Sequence, residues 1–299
     1  MIIKTKHLKG VYDFVDLILQ KRLASVSQSL ERNDSKKDFL DVLLDFRSED
    51  FNLVDIRALI TVSTEKTQKK VSQISDILAR TSYCGNVLQD LFVAGTETTT
   101  TTIESAMAEF IHNPQKLNRV RQELDDVVGC NRRVEESDLD HLPYLNAAVK
   151  EIFRLHPTVP LLLPHKAESS CVIGGFVVPK NSQVILNVWA IGMDPAIWKR
   201  PSEFVPQRFL EGENSRIDYR GQNFELIPFG SGRRICPGLP LASRMINFVL
   251  ASLLHSFEWK LPDETCFEQM DMAEEFGVTL KKGVELKAIP VPRLPHHLY

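Results

Sequence analysis

The loop from Pro228 to Gly238, PFGSGRRICPG, brings together residues whose types and spacing could do chemistry. Its glycines, arginines and single cysteine suit a thiolate that ligates a metal at the centre of a flat, acidic macrocycle. The backbone must then pass close beneath the plane, so side chains must vanish, and Gly230, Gly232 and Gly238 meet that need. The sulfur of Cys236 must stay charged, which turn amides and the N-terminus of a following helix favour. A cation must meet the acidic groups of the macrocycle, and Arg234 stands two residues before Cys236. Phe229 can pack beside the sulfur and keep water away.

Two further constellations lie upstream. Glu151 and Arg154, in KEIFRLHP, are three residues apart and so share a helix face. Alone, such a pair is a common solvated ion pair worth about 0.2–0.5 kcal/mol. The segment Leu91 to Phe110, LFVAGTETTTTTIESAMAEF, places Gly95 and a run of threonines in mid-helix. These residues cost roughly 0.5–1 kcal/mol each against alanine, so a helix that keeps them is bent for a reason.

The elements that must position these residues are mostly helical. A long helix is predicted from about Leu88 to Ile111. It stops before Asn113-Pro114, where Asn113 can cap a second helix and Pro114 suits its first position. Leu117, Val120, Leu124 and Val127 form the stripe of that helix, and Gly129 ends it. A third helix covers about Tyr144 to Leu155 and closes at His156-Pro157. Short β-type runs follow between Cys171 and Val188 (CVI, FVV and QVILNV), separated by Gly174-Gly175 and Pro179-Lys180-Asn181. After the cysteine loop an amphipathic helix reaches about His255. Earlier, Val11 to Leu23 and Asp38 to Phe46 carry helical apolar patterns, whereas residues 61–87 are polar and weakly periodic, a loop or a marginal helix.

The cysteine loop fits the FxxGxRxCxG pattern of the cytochrome P450 family at every fixed position, and the chain resembles that family over about 88–295 closely and over about 1–60 loosely. The resemblance implies a mainly α cytochrome P450 fold with a small β region, its N-terminal part missing, over residues 1–299 as the C-terminal part of one domain. It implies haem b (iron protoporphyrin IX) as cofactor, with Cys236 the axial ligand. It implies that Glu97 and Thr98, in AGTETT, relay protons and contact dioxygen in a groove opened at Gly95. His165, in LLLPHKAE, stands where the family has a basic residue in reach of a propionate, though an ordinary surface histidine fits as well. Phe204 to Phe209, FVPQRF, resembles the FxPERF segment, whose arginine, here Arg208, joins Glu151 and Arg154 in a buried network; Gln207 stands where Glu is usual. The segments HLPYLNAAVKEIFRLHP, VWAIGMDP and LASLLHSFEWKLP resemble plant enzymes similar to geraniol 8-hydroxylase.

The activity that the resemblance implies is that of a monooxygenase hydroxylating a lipophilic, terpenoid-like molecule with dioxygen. Electrons would come from a separate NADPH–cytochrome P450 reductase, because the chain shows no glycine-rich dinucleotide fingerprint after a strand. Substrate contacts are expected from Leu91 to Ala94, Thr158 to Leu163 and Phe276-Gly277-Val278. Two alternatives stand beside it: rearrangement of a fatty hydroperoxide, whose enzymes usually lack the acid–threonine pair, and an inactive haem-binding remnant. Full-length relatives sit on the cytosolic face of the endoplasmic reticulum membrane through an N-terminal anchor. Such an anchor, a proline-rich hinge and several helices are expected to precede the region this chain covers, and the chain alone is expected to be inactive. Joining residues 55–60 to 88–92 reads as a continuous approach to the central helix. Residues 61–87 therefore read either as a foreign insertion such as a retained intron, 27 residues long and in frame, or as a genuine surface loop.

Bulk properties narrow the alternatives. Hydrophobic residues make up 43% and charged residues 25% of the 299, so wholesale disorder is excluded. A net charge of −3, from 36 basic and 39 acidic residues, gives no support to a nucleic-acid binder. The five cysteines are odd in number, widely spaced and never in a CxxC pair. That argues against a disulfide framework or a structural zinc site, and a reducing compartment fits better. The longest apolar stretch, Leu239 to Phe257, is broken by Arg244 and carries His255, so it is no membrane span.

Overall fold

The computed structural model describes residues 75–262, 266–277 and 279–299, with side chains from Ala94 onward apart from Glu268. The chain divides into two compact units, Met1–Thr96 and Glu97–Tyr299. The helices expected at Val11 to Leu23 and Asp38 to Phe46 lie outside the described residues, as do residues 61–74 and Val278.

Helix α1 runs over Ser75–His112. It begins thirteen residues before the expected start, so residues 75–87 take the helical of the two alternatives and join the long helix. The polar text there lacks an apolar stripe but also lacks proline, and its one glycine, Gly85, weakens a helix without breaking it. Helix α2, Pro114–Val127, buries Leu117, Val120 and Leu124, with Pro114 in its first turn. Gly129 closes it at φ +74°, and its amide reaches Asp125 O at 3.1 Å. Asn113 occupies the cap position but does not cap with its side chain; its Nδ2 turns back to Glu109 O (2.9 Å) and Glu109 Oε2 (3.0 Å).

Helix α3, Pro143–Leu155, is buried along nearly its whole length, including Ala147, Ala148, Ile152 and Phe153. Such all-round burial marks a helix at the centre of a core. It ends at His156, before Pro157, which cannot continue the ladder.

Small antiparallel pairs follow. Strand β1 (His165–Lys166) pairs with β4 (Gln183–Val184), and β2 (Cys171–Ile173) pairs with β3 (Phe176–Val178). The run QVILNV makes only two strand residues, because Asn187 leaves it to cap helix α4 (Val188–Gly192), accepting from Ala190 N at 2.9 Å. Helix α5, Leu239–Ser256, follows the cysteine loop and buries Ile246, Leu250 and Leu254. Strand β5 (Phe257–Lys260) pairs with β8 (Ile289–Pro292), and β6 (Glu274–Phe276) forms a hairpin with β7 (Leu280–Lys282). One apolar core joins these parts, with Phe110, Leu124, Leu145, Ile152, Leu250 and Leu254 at its centre. Among the described residues no helix is long and apolar enough to cross a membrane.

Candidate haem-ligand loop and its supporting network

The loop before α5 takes its shape from glycine. Gly230 and Gly232 adopt φ +73° and +70°, the left-handed region that favours glycine. The Cys236 amide donates to Phe229 O at 3.0 Å, and Leu239 N donates to Cys236 O at 3.3 Å. These bonds fold the loop so that Cys236 stands just before the helix. Cys236 is half-buried and in no disulfide, and a methyl group on Gly238 would lie 3.6 Å from its Sγ. Arg233, Arg234 and, on β1, His165 are exposed. A lone thiol on a glycine cradle beside exposed cations fits a ligand for one axial position of a flat, anionic cofactor. No group of three or more potential metal-ligating side chains occurs among the described residues, which leaves a metal held by protein atoms alone without a candidate site there.

Aromatic rings tie this loop to α3. Phe229 meets Phe153 edge-on at 5.2 Å between ring centroids and Tyr219 at 5.9 Å, while Phe153 and Tyr219 are 5.0 Å apart. Tyr219 anchors the group through its hydroxyl to Ser243 Oγ on α5, at 2.6 Å. Burial pushes the Tyr219 hydroxyl above its usual pKa, so it stays a neutral hydrogen-bonding group.

Glu151, Arg154 and Arg208 come together in one cluster. Arg154 Nε and Nη2 donate to the two Glu151 oxygens, each at 2.8 Å, and Arg208 Nε donates to Glu151 Oε1 at 2.9 Å. The side chains of Glu151 and Arg154 are wholly shielded from solvent. Arg154 spends its other donors on the carbonyls of Gly192 (2.6 Å), Pro201 (2.7 Å) and Glu203 (3.2 Å). All five guanidinium N–H groups are thereby used, which is the condition for burying such an ion without a large penalty. Val205 N adds a bond to Glu151 Oε1 at 2.8 Å.

Three residues at this site carry no role in the sequence pattern. Trp198 is fully buried and lies under both guanidinium groups, 5.5 Å from Arg154 and 5.9 Å from Arg208. Gly192 packs so tightly that a methyl group there would stand 2.4 Å from Arg154 O. The signals were weak: a tryptophan among polar residues and a small residue in AIGMDP. The third, His156, reads in the sequence only as a helix stop. Instead its Nδ1 meets Glu274 Oε1 at 2.7 Å and its Nε2 meets Glu109 Oε1 at 2.8 Å. Burial pulls the imidazole pKa down, but the bonds to both carboxylates outweigh it and hold it at about 9.

On α1, Gly95 lies inside the helix, Glu97 is exposed and Thr98 is half-buried. Glu97 accepts the Thr279 hydroxyl at 2.7 Å. Thr98 O accepts the Thr102 hydroxyl at 2.8 Å, a bond that competes with the helix ladder and favours a local bend. Leu163 and Phe276, from the segments expected to meet substrate, expose large apolar surfaces.

Comparison with known proteins shows the family and the fold. The sequence model for the family described as Cytochrome P450 matches residues 3–288. Cytochrome P450 76T24 of Catharanthus roseus is 56% identical over 206 residues, 69% of this chain and 41% of that protein. Geraniol 8-hydroxylase of Swertia mussotii is 54% identical over 203 residues, 68% of this chain and 40% of that protein. Flavonoid 3',5'-hydroxylase of Campanula medium is 40% identical over 299 residues, 98% of this chain and 51% of that protein. A zebra fish cytochrome P450 structure with abiraterone superposes with a TM-score of 0.71 at 31% identity, covering 94% of this chain and 59% of that one. The chain thus spans about half the length of the curated relatives it matches. With a cysteine loop of the expected pattern, haem as the family's cofactor and the family's fold, the chain belongs to the cytochrome P450 family.

Proposed function

We propose that the protein carrying this chain is a haem-thiolate monooxygenase that hydroxylates a lipophilic, terpenoid-like molecule. The observation that carries this reading is the cradle at Cys236: two left-handed glycines, a half-buried thiol and exposed arginines in one turn. Haem, when bound, supplies the oxygen-activating chemistry. The chain's own residues hold it and serve it. Cys236 would ligate the iron, Arg234 and His165 would meet the propionates, and Phe229 would keep water from the sulfur. The Thr98 hydroxyl and the Glu97 carboxylate would hold and pass protons. Glu151, Arg154 and Arg208 act on structure: the Glu151 carboxylate is held by four N–H donors and the Arg154 guanidinium by that carboxylate and three carbonyls, which leaves little scope for acid–base work.

The terpenoid assignment rests on the geraniol 8-hydroxylase relative and on apolar side chains such as Leu163 and Phe276. A membrane-bound NADPH–cytochrome P450 reductase is the proposed electron donor, at the cytosolic face of the endoplasmic reticulum. Glu97 and Thr98 weigh against hydroperoxide rearrangement, which needs no proton delivery to dioxygen. The test is the absorption spectrum of the reduced, carbon monoxide-treated, haem-loaded protein, followed by product formation with a reductase. Thiolate-type absorbance in the parent and its loss in Cys236→Ala are expected. An unchanged spectrum in Cys236→Ala, or ligation passing to Cys266, refutes the assignment.

A further inference from the structure

Beyond their side chains' own chemistry, Glu97 and Thr98 sit in a closed circuit of hydrogen bonds that reaches across the fold. From Glu97 Oε1 the circuit passes to the Thr279 hydroxyl at 2.7 Å. The next residue, Leu280, donates its amide to Thr158 O at 2.8 Å. The Thr158 hydroxyl lies 3.0 Å from the Thr102 hydroxyl. Thr102 donates its proton to Thr98 O at 2.8 Å, so Thr158 is the donor of the preceding bond. The backbone from Thr98 to Glu97 then closes the ring.

The members of this ring are not equally fixed. Thr279 and Thr102 are buried, 7% and 4% exposed, whereas Glu97 is exposed. A buried hydroxyl held by its surroundings therefore aims an otherwise mobile carboxylate, rather than the reverse. Two further glutamates of α1 hold the hairpin that carries Thr279 and the segment that follows it. Leu286 N donates to Glu104 Oε1 at 2.8 Å. Glu274 and Glu109 are bridged by His156. From Glu97 to Glu109 the three acids are twelve residue steps apart, about 18 Å at 1.5 Å per residue, so this stretch of α1 is tied at three points to the hairpin and the segment after it.

We propose that Thr102, Thr158 and Thr279 are positioning residues that set the Glu97–Thr98 pair, Thr279 by aiming the carboxylate and Thr158 with Thr102 by fixing the Thr98 carbonyl. This rests on the proton-relay reading of Glu97 and Thr98. Because Phe276, at the end of β6, is an exposed apolar residue on the same hairpin, a ligand that presses on it also shifts the aim of Glu97. Substrate contact and proton delivery are thereby coupled through one strand turn.

The experiment compares Thr279→Val, which keeps the shape and loses the hydroxyl, with Thr279→Ser, which restores it; Thr158→Val and Thr158→Ser sever and restore the ring on its other side. The first readout is amide hydrogen exchange in the chain, with or without haem. Exchange at Leu280 and in the 97–102 turn should rise together by about tenfold in each valine variant and return in each serine variant, as loss of one hydrogen bond to a charged or buried partner implies. The second readout is product formed per electron consumed in the haem-loaded protein. It should fall in the valine variants and recover with serine, while Thr98→Ala falls as well. Exchange confined to one segment overturns the ring. Raised exchange with unchanged product yield in Thr279→Val, when Thr98→Ala does lose yield, overturns the positioning role alone. Unchanged yield in Thr98→Ala overturns the relay reading and this inference with it.

Discussion

Replacing Glu151 tests the structural reading of the buried cluster most directly. Glu151→Ala removes the acceptor of four bonds, from Arg154 Nε and Nη2, Arg208 Nε and Val205 N. The wholly buried Arg154 keeps its charge and loses two of its five partners, with no solvent to replace them. Breaking a buried pair on one side costs about 3–5 kcal/mol. That is a large share of the 5–15 kcal/mol that typically holds a domain together. At roughly 2–4 °C per kcal/mol for a unit of about 200 residues, the melting temperature should fall by about 6–20 °C. The comparison is Arg200→Ala, which breaks the Arg200–Glu203 pair. Both its side chains are more than half exposed (59% and 52%), and such pairs are worth about 0–1 kcal/mol. Calorimetry of the two variants beside the parent, with haem content measured alongside, decides the matter. A stable, haem-loaded Glu151→Ala protein that melts within about 3 °C of Arg200→Ala and is only slower in turnover would refute the structural reading.

Three further outcomes rest on particular contacts. Gly192→Ala drives a methyl group to 2.4 Å from Arg154 O, so it should cost about 1–3 kcal/mol by overpacking and weaken haem retention, as read by denaturant midpoint and haem absorbance; a neutral result would mean that α4 shifts freely away from α3. The raised pKa of His156 means that its stabilisation is complete below about pH 6.5, the unfolded value, and is lost as pH rises through about 9; the gap between those two values corresponds to about 3 kcal/mol at most. Denaturation midpoints at pH 6 and pH 9.5 should therefore differ in the parent, and His156→Gln should remove most of that difference. Transcripts amplified across residues 61–87 should include a form lacking that segment; if every transcript carries it, the segment belongs to the protein.

What could be read from the sequence was whatever depends on side-chain identity at fixed spacing. The cysteine loop is of this kind, since its glycines, Arg234 and Cys236 each have a separate physical reason to be where they are. Helices α2 and α3 were legible for similar reasons: Pro114 and Gly129 bracket the first, and His156-Pro157 ends the second. The start of α1 was not, because a polar helix without an apolar stripe leaves no periodic trace, and no proline marks where it must begin. Asn113 has the right type for a cap, yet Glu109, four residues back on the same face, competes for its side chain and wins.

The supporting partners of the site were hidden for a different reason. Arg154 is satisfied largely by the carbonyls of Gly192, Pro201 and Glu203, and any residue offers a carbonyl, so no residue type at those positions announces the bond. Only Gly192 bears a trace, because the approach of α3 forbids a side chain there. The contact between Glu97 and Thr279 spans 182 positions, and a threonine on a short strand turn looks ordinary until the hairpin is laid along the helix. Local motifs thus name the proposed cofactor contacts, while the groups that hold those residues still come from distant backbone and from hydroxyls with no motif of their own. Substitutions in this second set, at Gly192, Thr158 or Thr279, are accordingly the ones that separate a chain that merely contains the motifs from one that positions them.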